Sequence, residues 1–248
     1  MKAALLALLL AAPPENSALF PLYAQGRYEE AMRQGAAAGT AAGFAIAARA
    51  AMADAMMKPA PCLECLKRGE AYARRAIAAD ENAPDGHIWL AAALGYQARI
   101  VGLVRARLDN DPAQAKENLE TALKLEPDNA YALAALGGWN IEVVRAGGKF
   151  LGRKLYDASF ERGLLYFDRA AHAAPRNVAV RYQIALSLAG YDPASGRVES
   201  ELEAALHAAP ETAYEKFIQA RAGELLALLK RNDRDAFDEK VRVYQGYP

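Results

Sequence analysis

Apolar and small residues recur along this chain at helical spacing, in segments separated by short polar breaks. Four segments share one arrangement: a helix ends in alanine-rich turns, a break with proline or Asp-Asn follows, and a new amphipathic helix begins. Each places a small residue at one point and an apolar residue three positions earlier, as at Ala122 and Leu119. One such helix cannot bury its apolar stripe alone, so we expect helix pairs to stack on their neighbours. The four segments are 74–86, 120–132, 168–180 and 203–215.

The breaks between these segments predict ten helices in five pairs. Proline and short polar runs end or open most of them, and no alternating run indicates a strand. We therefore predict an all-α fold. The predicted pairs are 40–57 with 62–79, 84–104 with 112–125, 129–145 with 158–174, 178–189 with 197–208, and 212–229 with 234–245.

The composition agrees with this fold and narrows the function. Hydrophobic residues make up 53% of the 248 residues, which is enough for an ample core. Val, Ile and Thr are sparse, which points away from β-sheet. The 30 basic and 30 acidic residues cancel, so the net charge gives no support to a nucleic-acid-binding or membrane-surface protein.

Two of the repeats carry an insert between their helices. Both inserts, 100–111 and 143–157, are basic and partly apolar. Insertions at equivalent places in a solenoid emerge on the same side. We therefore expect the inserts to extend the first helices of their repeats and to project from one side as a surface for a partner.

The chain is similar to tetratricopeptide-repeat proteins. The stretch LGGWNIEVVRAGGKFLGRKLYDASFERGLLYFDRAAHAAP, residues 136–175, resembles the extended repeat of the regulator of microtubule dynamics family and its bacterial relatives. The resemblance implies a right-handed helical solenoid of about five helix pairs, with extended first helices in the middle repeats. It also implies a helical scaffold that binds proteins and has no established chemistry of its own. The eukaryotic members are associated with microtubules or organelle contacts.

The first residues have the pattern of a secretory leader. Lys2 precedes an apolar run from Ala3 to Ala12, which is shorter than the roughly 17–25 residues that a membrane-spanning helix needs. We predict a signal peptide at 1–18 and a repeat domain at 19–248, with no integral membrane span in the mature chain. The protein would then be periplasmic or secreted. If the run is instead an amphipathic first helix, the protein would be cytoplasmic.

Few residues of the chain are candidates for catalysis, redox chemistry or metal binding. Cys62 and Cys65 form a lone CLEC motif, which could be a structural disulfide, two free thiols or a redox dithiol. His87 opens a helix and could face either the core or a groove. No nucleophile with a nearby base, phosphate-binding loop or set of metal ligands is found, so we expect no enzyme activity, cofactor or metal.

Binding therefore remains as the predicted function. We expect a protein or peptide partner; the alternative is a transporter-associated component that encloses a small organic ligand in the solenoid channel, and a third hypothesis is a dithiol redox protein. A closed apolar tunnel would favour the ligand, and an open basic groove the peptide. The candidate partner-binding residues are Tyr96, Arg99, Arg105, Arg107, Asn140, Glu142, Arg145, Lys149, Arg153 and Lys154.

Overall fold

The computed structural model describes residues 16–248, with side chains from residue 19 onward. Thirteen α-helices and no strand occur within this part of the chain, so the all-α prediction is confirmed. The helices are α1 (Asn16–Ala24), α2 (Tyr28–Ala38), α3 (Ala41–Met57), α4 (Leu63–Ala79), α5 (Pro84–Val101), α6 (Leu103–Leu108), α7 (Asp111–Leu125), α8 (Ala130–Tyr156), α9 (Phe160–Ala173), α10 (Val178–Ala189), α11 (Gly196–His207), α12 (Ala213–Lys230) and α13 (Arg234–Tyr244).

The helices contact one another in the five predicted pairs. Helix α3 packs on α4, α5 on α7, α8 on α9, α10 on α11, and α12 on α13. The first helices of successive pairs also touch, from α3 through α5, α8 and α10 to α12. Helix α12 in turn contacts α1 and α3. We call α3, α5, α8, α10 and α12 the inner row. The last helix of this row contacts the first, so the row closes around a central space.

Side-chain caps fix where four of the five inner helices begin. The Thr40 hydroxyl and the side-chain oxygens of Asn129 and Asn177 each accept a backbone N–H from the first turn of their helix. Thr212 and Glu215 form a reciprocal capping box on α12. Such caps satisfy backbone donors that have no partner within the helix. The N-terminal ends of these inner helices are therefore specified locally by the sequence.

The two inserts are helical, but they do not simply lengthen the first helices as expected. Helix α5 ends at Val101, and α6 begins after Gly102, which has φ 84° and ψ 162°. Helix α8 runs through the second insert but is broken at Gly148, which has φ 77° and ψ 161°. Only glycine adopts this backbone conformation without strain. Each glycine therefore turns the chain, and the helix restarts in a new direction.

The predicted leader at 1–18 lies almost entirely outside the described residues, since α1 begins at Asn16. Helix α1 packs on α2 and α3, with Leu19 and Tyr23 buried. Between residues 16 and 248 no helix has both the length and the apolar character that crossing a membrane requires.

Candidate functional site

A central cavity of about 620 Å³ lies inside the row of inner helices. All five inner helices contribute to its wall, together with α1, α6, the first turns of α7, the end of α13 and the segment that follows it. The volume is within the roughly 300–1,000 Å³ of small-molecule sites. The fold therefore places one candidate site where all five repeats meet.

The wall of the cavity is largely aromatic and aliphatic. Both tryptophans of the chain line it, and the Trp139 indole N–H donates a 2.9 Å hydrogen bond to the carbonyl of Pro112. Aliphatic side chains such as Met52, Ile88 and Leu94 fill the space between the rings. This wall suits an apolar or aromatic molecule. The lining aromatic residues are Tyr23, Trp89, Tyr96, Tyr131, Trp139, Tyr156, Tyr182, Tyr214, Tyr244 and Tyr247.

Arg49 is a partly buried cation in this aromatic wall. Its guanidinium carbon lies 4.5 Å from the ring centre of Tyr23, 5.4 Å from that of Tyr131 and 5.5 Å from that of Trp89. Its Nη2 donates a 3.3 Å hydrogen bond to the Tyr131 hydroxyl, and its buried Nε has no hydrogen-bond partner. These rings stabilise the cation, but they leave a donor of Arg49 unused.

No ion pair neutralises Arg49 within the described part of the chain. None of the carboxylate oxygens there lies within 4.0 Å of its guanidinium. The Asp85 carboxyl interacts with Arg49 only by long-range electrostatics. Burial raises the pKa of Asp85, although the charge of Arg49 opposes this shift. A buried charge without a paired counter-charge is costly. Arg49 is therefore suited to an anionic group that enters the cavity.

Two of the three acidic groups in the wall, Glu142 and Glu215, are already engaged elsewhere; the third, Asp111, has no ion pair among the described residues, and burial raises the pKa of its carboxyl. The Glu215 carboxylate accepts the backbone N–H groups of Glu211 and Thr212 at 2.8 and 3.1 Å. Glu142 pairs with Arg145 at 2.7 Å. A second cation, Arg221, lies 4.3 Å from the ring centres of Phe217 and Tyr244 and, like Arg49, has no carboxylate within 4.0 Å among the described side chains. Arg49 and Arg221 therefore leave unpaired positive charge at the cavity.

The segment 245–247 lies across two inner helices and completes the wall. Arg99 Nη1 donates a 2.7 Å hydrogen bond to the Gln245 carbonyl. The Tyr247 hydroxyl donates to Glu142 and accepts from Arg145, whose guanidinium carbon is 4.9 Å from the Tyr247 ring centre. The segment thereby joins α13 to α5 and α8.

The charges that hold this segment stabilise one another. Burial alone would raise the pKa of the Glu142 carboxyl, but Arg99, together with hydrogen bonds from Arg145 and Tyr247, lowers it below its ordinary value. Burial and the adjacent Glu142 carboxylate raise the pKa of Tyr247 to about 12. Tyr247 is therefore a neutral phenol at physiological pH, and Glu142 is ionised.

The structure separates the predicted partner-binding residues into three groups. Asn140 is buried; its amide donates to the Leu136 carbonyl and its oxygen accepts from the Ser159 N–H, so it ties α8 to the start of α9. The five residues on the cavity wall are Tyr96, Arg99, Arg107, Glu142 and Arg145. The four exposed residues outside that wall are Arg105, Lys149, Arg153 and Lys154.

Arg49 is not among the residues predicted from the sequence, although its position in α3 distinguishes it. It is the only basic residue within α3, whose other side chains are mostly alanine, methionine and other apolar groups. A cation in the middle of a largely buried helix needs a partner. The pattern did not show that Tyr23 and Tyr131, which are distant in sequence, would surround it.

The remaining candidates lie away from the cavity and have structural contacts. The Sγ atoms of Cys62 and Cys65 are 1.98 Å apart, so the pair is a disulfide at the start of α4. The two ring nitrogens of His87 bond to Asn118 Oδ1 at 2.8 Å and to the Glu81 carbonyl at 2.9 Å. Both nitrogens thus face oxygen atoms of the same chain, which hold the His87 ring within the fold. Among the described residues, no three His, Cys, Asp or Glu side chains are grouped as metal ligands.

No curated protein matches the chain. A family model described as "Regulator of microtubule dynamics protein 1-3" matches residues 39–230, a range that begins just before α3 and ends with α12 and so contains the whole inner row. This match covers more than half of the chain and confirms the resemblance noted for residues 136–175. The chain belongs to the regulator of microtubule dynamics protein 1-3 family.

Proposed function

We propose that this protein binds a small, largely apolar organic molecule that carries an acidic group, and that it holds this ligand in the central cavity. The observation that carries the proposal is Arg49, a partly buried cation with a buried, unpaired Nε and no carboxylate partner, set in an aromatic wall. A ligand anion would give the guanidinium the charge-assisted hydrogen bonds that it lacks. The surrounding rings would contact the apolar body of the ligand.

The cavity favours such a ligand over a peptide laid along an open groove. Arg99, Glu142 and Arg145 are among the groove residues predicted to hold a partner, and they already bind segment 245–247 of the same chain. A peptide on this face would have to displace that segment and break its hydrogen bonds. A small molecule needs only the space that the inner helices surround.

A pair of fluorescent probes tests the proposal directly. The anion 1-anilinonaphthalene-8-sulfonate and the neutral N-phenyl-1-naphthylamine share one aromatic skeleton and differ in the sulfonate. We expect both to bind and to quench Trp89 and Trp139, which line the cavity. Arg49→Gln should weaken binding of the anion about tenfold or more, because hydrogen bonds to charged groups contribute about 1.5–3 kcal/mol. Binding of the neutral probe should change little.

A matched pair of glycine variants tests whether the probes occupy the cavity. Gly95 is in the cavity wall, and a Cβ placed there would meet no atom within 4 Å. The Cβ of a Gly95→Phe variant therefore has room, and we expect its phenyl ring to occupy cavity space and abolish binding of both probes. Gly196 is equally open but lies on α11, so Gly196→Phe is the control. Unchanged binding to folded Gly95→Phe would refute the cavity as the site.

We further propose that the protein is a non-enzymatic binding component in an oxidising compartment, the periplasm or the exterior, with a transporter as a candidate associate. The Cys62–Cys65 disulfide supports this location, because disulfides persist mainly outside the cytosol. Mass spectrometry of protein alkylated during extraction of fractionated cells tests it. Free alkylated thiols on cytosolic protein would contradict the location without affecting the ligand proposal.

A further inference from the structure

Exposed apolar side chains are concentrated on the two inserts. The described chain has eight large hydrophobic residues that are exposed, and six of them belong to α6 or to the part of α8 after Gly148. Val104 and Leu108 are each 76% exposed, and Phe150 is 73% exposed. We call the surface formed by 103–108 and 149–155 the insert surface. Its exposed apolar residues are Leu103, Val104, Leu108, Phe150, Leu151 and Leu155.

The two inserts are built in the same way. Each begins at a glycine with nearly the same backbone angles, Gly102 and Gly148. Two residues after that glycine comes a highly exposed apolar side chain, Val104 or Phe150. Four residues after it comes a small buried residue, which is Ala106 in the first insert and Gly152 in the second. Each insert thus buries one small residue against the protein and displays an apolar side chain to solvent.

The inserts also end alike and lie close to the same feature. Arg107 and Arg153 are exposed and occupy the fifth position after the two glycines. The segments end at Asn110 and Asp157, which both have positive φ. Leu103 and Arg107 from one insert and Leu151 and Leu155 from the other line the central cavity. The two inserts therefore lie at equivalent places in neighbouring repeats and border the same cavity.

Cations alternate with the apolar residues on the insert surface. Arg105 pairs with Asp109 at 2.7 Å. The other four cations have no carboxylate within 4.0 Å among the described side chains. This charge is local, because the whole chain has a formal net charge of zero. The basic residues are Arg105, Arg107, Lys149, Arg153 and Lys154.

We propose that the insert surface docks on a lipid bilayer with anionic headgroups. Interfacial protein segments combine aliphatic and phenylalanine side chains, which enter the acyl boundary, with Lys and Arg, which attract anionic lipids. The insert surface has both components on two short segments at the rim of the cavity, and Val104, Leu108 and Phe150 are its most exposed apolar side chains. Docking of this kind is peripheral and reversible, and it requires no membrane-spanning helix.

The positive charge of the insert surface favours an anionic bilayer over a second copy of this chain as its partner. A twofold dimer places the same surface of each copy against the other. The cations without acidic partners would then face their own equivalents, and like charges across an interface oppose association. An anionic bilayer instead supplies opposite charge over its whole area and accepts the apolar side chains without a shaped complementary surface.

Vesicle sedimentation tests the proposal with the full chain. We expect the protein to bind vesicles of phosphatidylcholine with 30% phosphatidylglycerol, to bind pure phosphatidylcholine much more weakly, and to be released by high salt. Lys149→Glu/Arg153→Glu should weaken binding by more than tenfold, because each basic residue near such a surface contributes about 1 kcal/mol. Val104→Ser/Phe150→Ser should also weaken it, through loss of apolar contact with the acyl region.

The chain offers a matched control for the apolar variant. Leu165 and Val243 are the two other exposed large hydrophobics, at 64% and 46%, and they lie on α9 and α13. Leu165→Ser/Val243→Ser should bind vesicles like the original chain. The proposal fails if the original chain binds no anionic vesicles, or if this control loses as much binding as Val104→Ser/Phe150→Ser. Sedimentation velocity showing a dimer that Val104→Ser/Phe150→Ser dissociates would assign the surface to self-association instead.

Discussion

At the scale of single residues, two of the five arginines in the cavity wall are in opposite situations. Arg145 pairs with Glu142 and binds Tyr247, so its charge is satisfied by the protein itself. Arg49 has aromatic rings around it and one hydrogen bond to a phenol, so its charge is stabilised without being neutralised. The first arrangement holds the fold closed. The second leaves a positive charge that an anionic ligand could neutralise, which is why the proposed function depends on Arg49.

Glu142 should make the stability of the protein depend on acid pH. Its pKa is lower in the folded protein than the ordinary 4.5, so its carboxylate stabilises the fold above about pH 4.5, and this contribution is lost as pH falls through the lowered value. Glu142→Gln should cost about 1.5–3 kcal/mol at pH 7, because hydrogen bonds to a charged group are lost. The difference between the two proteins should shrink below pH 4.5. Urea unfolding at a series of pH values measures it.

Glu117 provides the control for this experiment. It is exposed on α7 and has no ion pair among the described residues. Glu117→Gln should change the free energy of unfolding by less than about 0.5 kcal/mol at any pH, as is usual for surface substitutions. A cost of Glu142→Gln that stays constant from pH 7 to pH 3 would contradict the assignment of Glu142 as an ionised partner of Arg99 and Arg145.

At the scale of elements, Gly102 and Gly148 each separate the inner helix of a repeat from its exposed insert. Residues before Gly102 and Gly148 belong to the inner row, whereas most residues after them are exposed. The sequence predicted the position, basic character and equivalence of the inserts. It did not predict the breaks, because glycine is also tolerated inside helices, as at Gly95 and Gly137. Helical spacing alone does not reveal which glycine will adopt positive φ.

Alanine substitutions should distinguish these glycines. A Cβ at Gly102 or Gly148 would meet no atom within 4 Å, so any cost comes from the backbone conformation alone. Gly102→Ala and Gly148→Ala should each destabilise the protein by about 1–3 kcal/mol. Gly95→Ala, in regular helix with equally open space, should stabilise it by up to about 1 kcal/mol. Urea unfolding compares the three, and a gain of stability at Gly148→Ala would mean that α8 is continuous.

At the scale of the whole molecule, the inner row closes because its first and last elements meet. A Cβ at Gly26 would lie 3.0 Å from the Cβ of Ala213, and Tyr214 packs against the cluster that contains Leu19 and Tyr23. The all-α class, the five pairs and most helix limits followed from local signals such as caps, prolines and apolar spacing. The closure did not, because it joins residues nearly 200 positions apart and depends on small rotations accumulated over every repeat.

Tyr214 should control this closure. Burial raises its pKa well above the ordinary 10.0, so it is a neutral packing residue between α12 and the first helices. Tyr214→Ala should cost less than about 3–5 kcal/mol, the usual cost of a fully buried aromatic truncation, because the Tyr214 side chain is only partly buried and faces the cavity. Leu225→Ala is the control, since Leu225 is fully buried on the same helix within the core that α10, α11 and α13 share.

Hydrogen exchange distinguishes loss of closure from general destabilisation. Both variants should increase exchange across α12, but only Tyr214→Ala should selectively expose α1 and the start of α3, because local protection follows the contacts that an element keeps. Tyr214→Ala should also weaken binding of both naphthalene probes, since Tyr214 and Tyr23 lie in the cavity wall. If α1 exchanges equally in the two variants at matched stability, the contact between α12 and α1 is incidental, and the cavity is held by neighbouring repeats alone.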